Sequence, residues 1–322
     1  AKEALQIVQW ENLLNAPGAR QSLVGRWLFE HWFLAHLYFK DGEPGHYFQW
    51  VRSRTPTGQP IDLIATRRPN DDPGTQVYYR LWPVQGVIVH KTHITYPLSP
   101  AKMARIKSLF YSGNWQVDAL PGYGPERRAN PFETFQAIPA QARYQFMLDN
   151  AEYFVRTFIR GPVCRGQIAT DVIRDNFWAL FQAPEHDLYI VDPNYRRQAT
   201  PLLAMPGQND DVGSVLSLWH TYRDKRNDYE ALRRDCLPPD NAAALRSAGL
   251  AGMPPPGRRY TGSNIRNPGL WRPSCTRAMG AVSVGCPLSI ACSMACRRRA
   301  SLPTSRPWAP GLSAEGSMYR IT

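Results

Sequence analysis

Residues Trp27–Phe39 (WLFEHWFLAHLYF) are apolar almost without interruption; only Glu30, His31 and His36 break the run. Read at 3.6 residues per turn, the run continues a helix that starts near Arg20 and is apolar on every side. Such a helix is buried, or its outer face meets lipid. A membrane span needs about 20 residues, so this segment is too short to cross a bilayer. The rest of the chain has to cover it, and 322 residues with 43% apolar side chains are enough to build that core.

The covering layers can be read in order. Ala4–Leu14 has the period of a short amphipathic helix, closed by Asn15-Ala-Pro-Gly. His46–Arg54, Ile61–Thr66, Gln76–Trp82 and Val87–Thr95 are β-branched and aromatic runs between Pro, Gly and Asn-Asp turns. They predict a small, mostly antiparallel sheet. Ser99-Pro100 is an N-cap followed by proline at the first helical position, and predicts a helix to about Tyr111. A Gly/Pro-rich loop follows over 112–131. Further helices are predicted over Pro139–Ile159, 164–181 and Asp210–Cys236, with a short strand at Leu188–Val191 and a turn at Asp192-Pro-Asn. The predicted class is α+β: a helix-rich domain over residues 1–244, with helices in 4–39, a sheet in 46–95 and helices in 99–237.

From Leu245 the composition changes. The last 78 residues hold 28 Gly, Pro and Ser, and no Lys, His, Asp, Gln or Phe. No period of 2 or 3.6 persists, which predicts a disordered tail. Abundant Arg, Pro, Gly, Ser, Cys and Trp is also what out-of-frame reading of a GC-rich gene yields. The tail carries 11 of the 38 basic and one of the 26 acidic residues. The body is left with 27 basic and 25 acidic residues, so the net charge of +12 is no argument for nucleic-acid binding by the folded part. Two cysteines in the body, Cys164 and Cys236, define no disulfide framework.

Few side chains stand out chemically. Gly161-Pro162 ends one predicted helix, and Cys164 then opens the next between Arg160 and Arg165. Free N–H groups and two cations favour a thiolate there; a small buried residue at a helix corner is the other reading. Glu30, a carboxylate in an apolar helix, is expected to have a raised pKa unless Arg26, one turn back, pairs with it. His31 and His36, five apart on a helix, point about 140° away from each other and cannot easily share a metal. Each is a candidate lone ligand or a hydrogen-bonded core histidine. His90 and His93 would face opposite sides of a strand. Asp171 and Asp175 share a helix face with Arg174 beside them, as exposed charges commonly do. No HExxH, CxxC, GxSxG or GxGxxG pattern occurs, so neither a protein metal site nor nucleotide chemistry is expected.

Four ordered blocks carry a resemblance. Arg160–Trp178, Trp27–Phe39, Tyr96–Phe110 and Leu120–Pro139, with its NPFETFQAIP core, resemble the bacterial fatty acid cis–trans isomerases over roughly residues 5–240. The resemblance implies an isomerase that converts cis-unsaturated fatty acids of membrane lipids to trans as a stress response, without ATP or nicotinamide. It implies a periplasmic location and haem c. The family attaches that haem through Cys-x-x-Cys-His, which this sequence lacks; Cys292-Ser-Met-Ala-Cys296 has the wrong spacing and no following His. Haem c is therefore expected outside this chain, which reads as a truncated form inactive alone. The implied partners are unsaturated fatty acids and the membrane surface. Trp27, Trp32, Phe33 and Tyr38 are candidates for the acyl channel or membrane-facing wall, and Arg160 and Arg165 for holding a carboxylate. The catalytic residue is open among Glu30, His31, His36 and Cys164. Two alternatives stand beside the isomerase: a non-catalytic lipid-binding or membrane-surface module, and a thiol enzyme using Cys164.

Overall fold

The computed structural model describes residues 2–88, 93–160, 178–205, 215–236, 260–264 and 290–293. Helices α1 (Lys2–Leu14) and α2 (Ala19–Trp32) form a hairpin, turned at Gly18 with φ 111°. They cross where Gly25 meets α1. A Cβ on Gly25 would lie 2.2 Å from the Leu14 carbonyl oxygen, so only glycine allows this approach.

The apolar run does not stay helical. α2 stops at Trp32, and His36–Phe39 is strand β1, not the end of the predicted helix. Leu37 and Phe39 are buried while His36 and Tyr38 are only partly so. That two-residue alternation suits a strand paired on both edges, and tertiary pairing overrides the helical reading.

β2 (Phe48–Ser53), β3 (Tyr78–Pro83) and β4 (Thr95–Leu98) complete a sheet of order β3-β2-β1-β4. β1–β2 and β2–β3 are antiparallel, and β1–β4 is parallel. The fold is thus α+β, helix-rich with a small, mostly antiparallel sheet. Two predicted strands are corrected. Ile61–Thr66 contributes only an isolated bridge, Ser53 to Leu63. Val87 and Ile88 are not in a strand; the sheet is closed later, by β4.

α1 packs on β3 through two polar anchors. Glu11, 1% exposed, pairs with Arg80 at 2.8 Å and accepts from Leu81 N at 2.9 Å and Thr57 Oγ1 at 2.7 Å. The Asn15 side chain donates to Tyr79 O and accepts from Tyr79 N, both at 2.8 Å, and so satisfies backbone groups of β3 as a neighbouring strand would.

α3 (Pro100–Tyr111) starts as predicted, with Ser99 Oγ accepting from Lys102 N at 3.2 Å. Two short helices follow, α4 (Pro125–Ala129) and α5 (Pro131–Thr134). The single helix predicted over Pro139–Ile159 is two, α6 (Ala140–Asp149) and α7 (Ala151–Arg160). Asn150 breaks the ladder. Its Nδ2 donates to Phe146 O at 2.7 Å, and its Oδ1 accepts from the Tyr96 hydroxyl across to the sheet.

The helix predicted over 164–181 lies outside the described residues up to 177; from there Trp178–Gln182 is strand β5, not helix. The strand predicted at Leu188–Val191 is a helical turn, α8, because the Asp187 side chain caps Tyr189 N at 2.9 Å. Likewise Asp192 caps α9 (Pro193–Ala199) instead of making a free turn. α10 (Val215–Asp235) is the last predicted helix. β5 pairs antiparallel with β6 (Tyr260–Asn264) and β7 (Ile290–Ser293); the remainder of the 245–322 expectation falls outside the described residues.

Candidate functional site

The first turn of α3 carries a cation where the helix dipole disfavours one. Ser99 is the cap and Lys102 the third helical residue, at the positive end of the helix dipole. Lys102, Arg105, Ile106 and Leu109 then follow at helical spacing, so they share one face. That face and Phe146, Asp149 and Asn150 of α6 and its end enclose a cleft of about 300 Å³. Ile106 and Phe146 are buried and form its apolar floor.

The polar end of the cleft is built around Lys102. Its Nζ sits 3.7 Å from the centroid of the Tyr96 ring and 3.4 Å from Asn150 Oδ1. Among the described residues no carboxylate lies within 4.0 Å of it. Burial, and secondly the Lys40 charge, push its pKa down to about 8, against the more distant Asp149 and Glu152. Arg105, at the rim, is already engaged: its Nε donates to Asp149 Oδ2 at 2.6 Å. Gln145 Nε2 holds the other oxygen at 2.7 Å.

Behind Phe146 stand three of the residues singled out in the sequence. Its ring centroid is 6.0 Å from that of Trp27, 6.0 Å from His31 and 5.6 Å from Trp32. Trp27 and Trp32 belong to the central core, 4% and 0% exposed. Phe33 and the following Leu34 turn outward, 37% and 49% exposed. Tyr38 lies on β1 against Tyr47, with ring centroids 5.8 Å apart.

His31 is a neutral imidazole. Its Nδ1 is 2.7 Å from the Trp27 carbonyl oxygen; a carbonyl only accepts, so Nδ1 carries the proton. Its ring stacks on Trp27 at 3.7 Å, and desolvation lowers its pKa to about 4. Nε2 has no hydrogen-bond partner among the described residues and carries the ring's lone pair. Glu30 pairs with Arg26 at 2.7 Å; burial still raises its pKa, with the Arg26 charge opposing. Arg26 also donates to Pro121 O and Gly122 O and stacks on Tyr123 at 3.8 Å, strapping the 112–124 loop to α2.

His36 is placed on a strand, and its ring meets His93 at 5.0 Å, edge to face. Arg160 closes α7. Cys164, Arg165, Asp171 and Asp175 lie outside the described residues. Among the described residues no group of three or more His, Cys, Asp or Glu side chains is placed to hold a metal ion. The chain's own residues do not fit covalent haem, since Cys-x-x-Cys-His is missing. No helix among the described residues is long and apolar enough to cross a membrane.

Sequence reasoning missed Lys102, Tyr96, Phe146 and Asn150 as a group. One local signal was present: a lysine in the first turn of a well-capped helix, where an acid is the better choice. The arrangement can bind an amphiphile whose apolar part lies on Ile106, Leu109 and Phe146 and whose polar end meets a cation. No curated protein and no solved structure matches this chain. The family model described as fatty acid cis/trans isomerase (CTI) matches residues 1–248. That match covers most of the chain and every element lining the cleft, and the chain therefore belongs to the fatty acid cis/trans isomerase family.

Proposed function

We propose that this chain binds unsaturated fatty acids in the α3–α6 cleft and takes part in their cis-to-trans isomerisation in bacterial membrane lipids. The observation that carries the reading is the cleft itself, an apolar floor ending at a cation, in a chain of an isomerase family. Rotation about an intact C=C bond is prohibitively hard, so its bond order has to fall briefly. A haem c held outside residues 1–322 would supply that chemistry. Cofactors carry such steps while the protein binds and orients the substrate. Ile106, Leu109 and Phe146 supply that binding by excluding water from the alkyl chain. The chain works at the periplasmic membrane surface and is inactive alone.

A second reading, a lipid-surface module without catalysis, draws on Phe33 and Leu34, two adjacent apolar side chains exposed at the end of α2. One experiment separates the two. Palmitoleate is incubated with the chain alone and with the chain fused to a haem-c segment of the same family, and the products are resolved by gas chromatography. Trans product from the fusion alone supports the isomerase. No trans product from a correctly loaded fusion, with palmitoleate still bound, supports the lipid module.

A further inference from the structure

We propose that Lys102 is the carboxylate anchor of the α3–α6 cleft: its ammonium group receives the ionised head of a fatty acid whose first methylene groups lie on Ile106, Leu109 and Phe146. This rests on the reading of that cleft as the acyl site, and adds which residue recognises which end of the ligand.

Three features of the site argue for an anion there. Lys102 stands in the first turn of α3, where the helix dipole is positive. Lys40 adds a second positive charge nearby. Neutral groups are what meet its Nζ: the face of Tyr96 at 3.7 Å and one amide oxygen of Asn150 at 3.4 Å. The Tyr96 hydroxyl is tied to that same amide oxygen, so both are fixed in place. An ammonium group has three donors, and a ligand carboxylate can take what Asn150 leaves. The other lining cation, Arg105, is committed to Asp149. The apolar side chains run away from Lys102 along α3. From Lys102 to Leu109 is about 10 Å of helix, so a chain anchored at Lys102 passes over Ile106 and Leu109 in turn.

The test compares two ligands of equal alkyl length, oleate and oleyl alcohol, below their aggregation concentrations. Binding to the full chain and to three variants is measured by titration calorimetry, with thermal melts to verify folding. The wild type should bind oleate about tenfold or more tighter than the alcohol. Lys102→Met should weaken oleate about ten- to a hundredfold, the loss of one charge-assisted hydrogen bond, and leave the alcohol unchanged. Lys102→Arg should retain most oleate affinity. Leu109→Trp, which fills the cleft, should abolish both ligands. If Lys102→Met binds oleate as the wild type does while Leu109→Trp blocks both ligands, the anchor is refuted and the acyl cleft stands. If Leu109→Trp affects neither ligand, or the wild type binds neither, the cleft reading and the anchor fall together.

Discussion

Replacing Lys102 by methionine should make the protein more stable. The lysine ammonium group titrates near 10.5 when exposed and at about 8 in the fold. Two and a half pH units at 1.36 kcal/mol each correspond to a cost of about 3 kcal/mol for holding the charge in the fold at neutral pH. Methionine keeps a similar length, removes that cost and loses the contact with Tyr96, worth about 0.5–2 kcal/mol. The net gain expected is about 1–3 kcal/mol, or about 2–4 °C in melting temperature per kcal/mol for a domain of this size. The sign is checked through pH. Between about 8 and 10.5 the unfolded chain binds more protons at Lys102 than the folded one, so wild-type stability rises with pH across that window. The gap between the methionine variant and the wild type is then full below pH 8 and closes as pH approaches 10.5. Thermal melts of both proteins at several pH values from 7 to 10.5 measure it. A variant less stable than the wild type at pH 7, or a gap that does not shrink with pH, refutes the reasoning.

Other perturbations follow from the same structure. Glu11→Ala leaves Arg80 buried and Leu81 N without its acceptor; breaking a buried pair costs about 3–5 kcal/mol, which urea titration reads as a lower midpoint. Gly25→Ala puts a Cβ against the Leu14 carbonyl oxygen and should cost at least about 1–3 kcal/mol; a melting temperature equal to wild type would show that α1 and α2 can separate freely. His31, neutral in the fold and titrating at about 4, binds fewer protons than in the unfolded chain between pH 4 and 6.5. Wild-type stability should therefore fall by about 2 kcal/mol as pH drops through that window. His31→Phe should lack that fall, measured by urea midpoints at pH 7 and 4.5.

What could be read in the sequence was governed by local signals. Ser99-Pro100 names the start of α3 because cap and proline chemistry act within one turn. β2 and β3 announce themselves by aromatic and β-branched runs. The switch from α2 to β1 was not readable, because a continuous apolar run satisfies the helical and the strand period alike. Only pairing with β2 and β4 decides it. Asn150 is another such case: an asparagine inside a helical pattern is ordinary until its amide bonds to Tyr96 on the sheet. Leu188–Val191 has strand composition, and two aspartate caps overrule it. The site divides the same way. Trp27 and Trp32 were visible as apolar bulk, but which aromatic forms the floor of the cleft depends on how α3 lies on α6.

The titratable groups embedded in this core are handled differently, and the difference points to the ligand. Glu11 is met by Arg80 and Glu30 by Arg26, each within hydrogen-bond distance, so each charge is neutralised where it stands. His31 avoids charge, giving its proton to the Trp27 carbonyl and staying neutral down to about pH 4. Lys102 does neither. It keeps its charge at neutral pH in a place that disfavours charge, beside a second lysine and a helix N-terminus, with a ring and an amide oxygen for company. A residue that lowers stability at a position where methionine would raise it is the signature of a site selected for something other than folding. A carboxylate entering the cleft would supply a counter-charge, and the same desolvation that makes Lys102 costly to the fold would strengthen that ion pair.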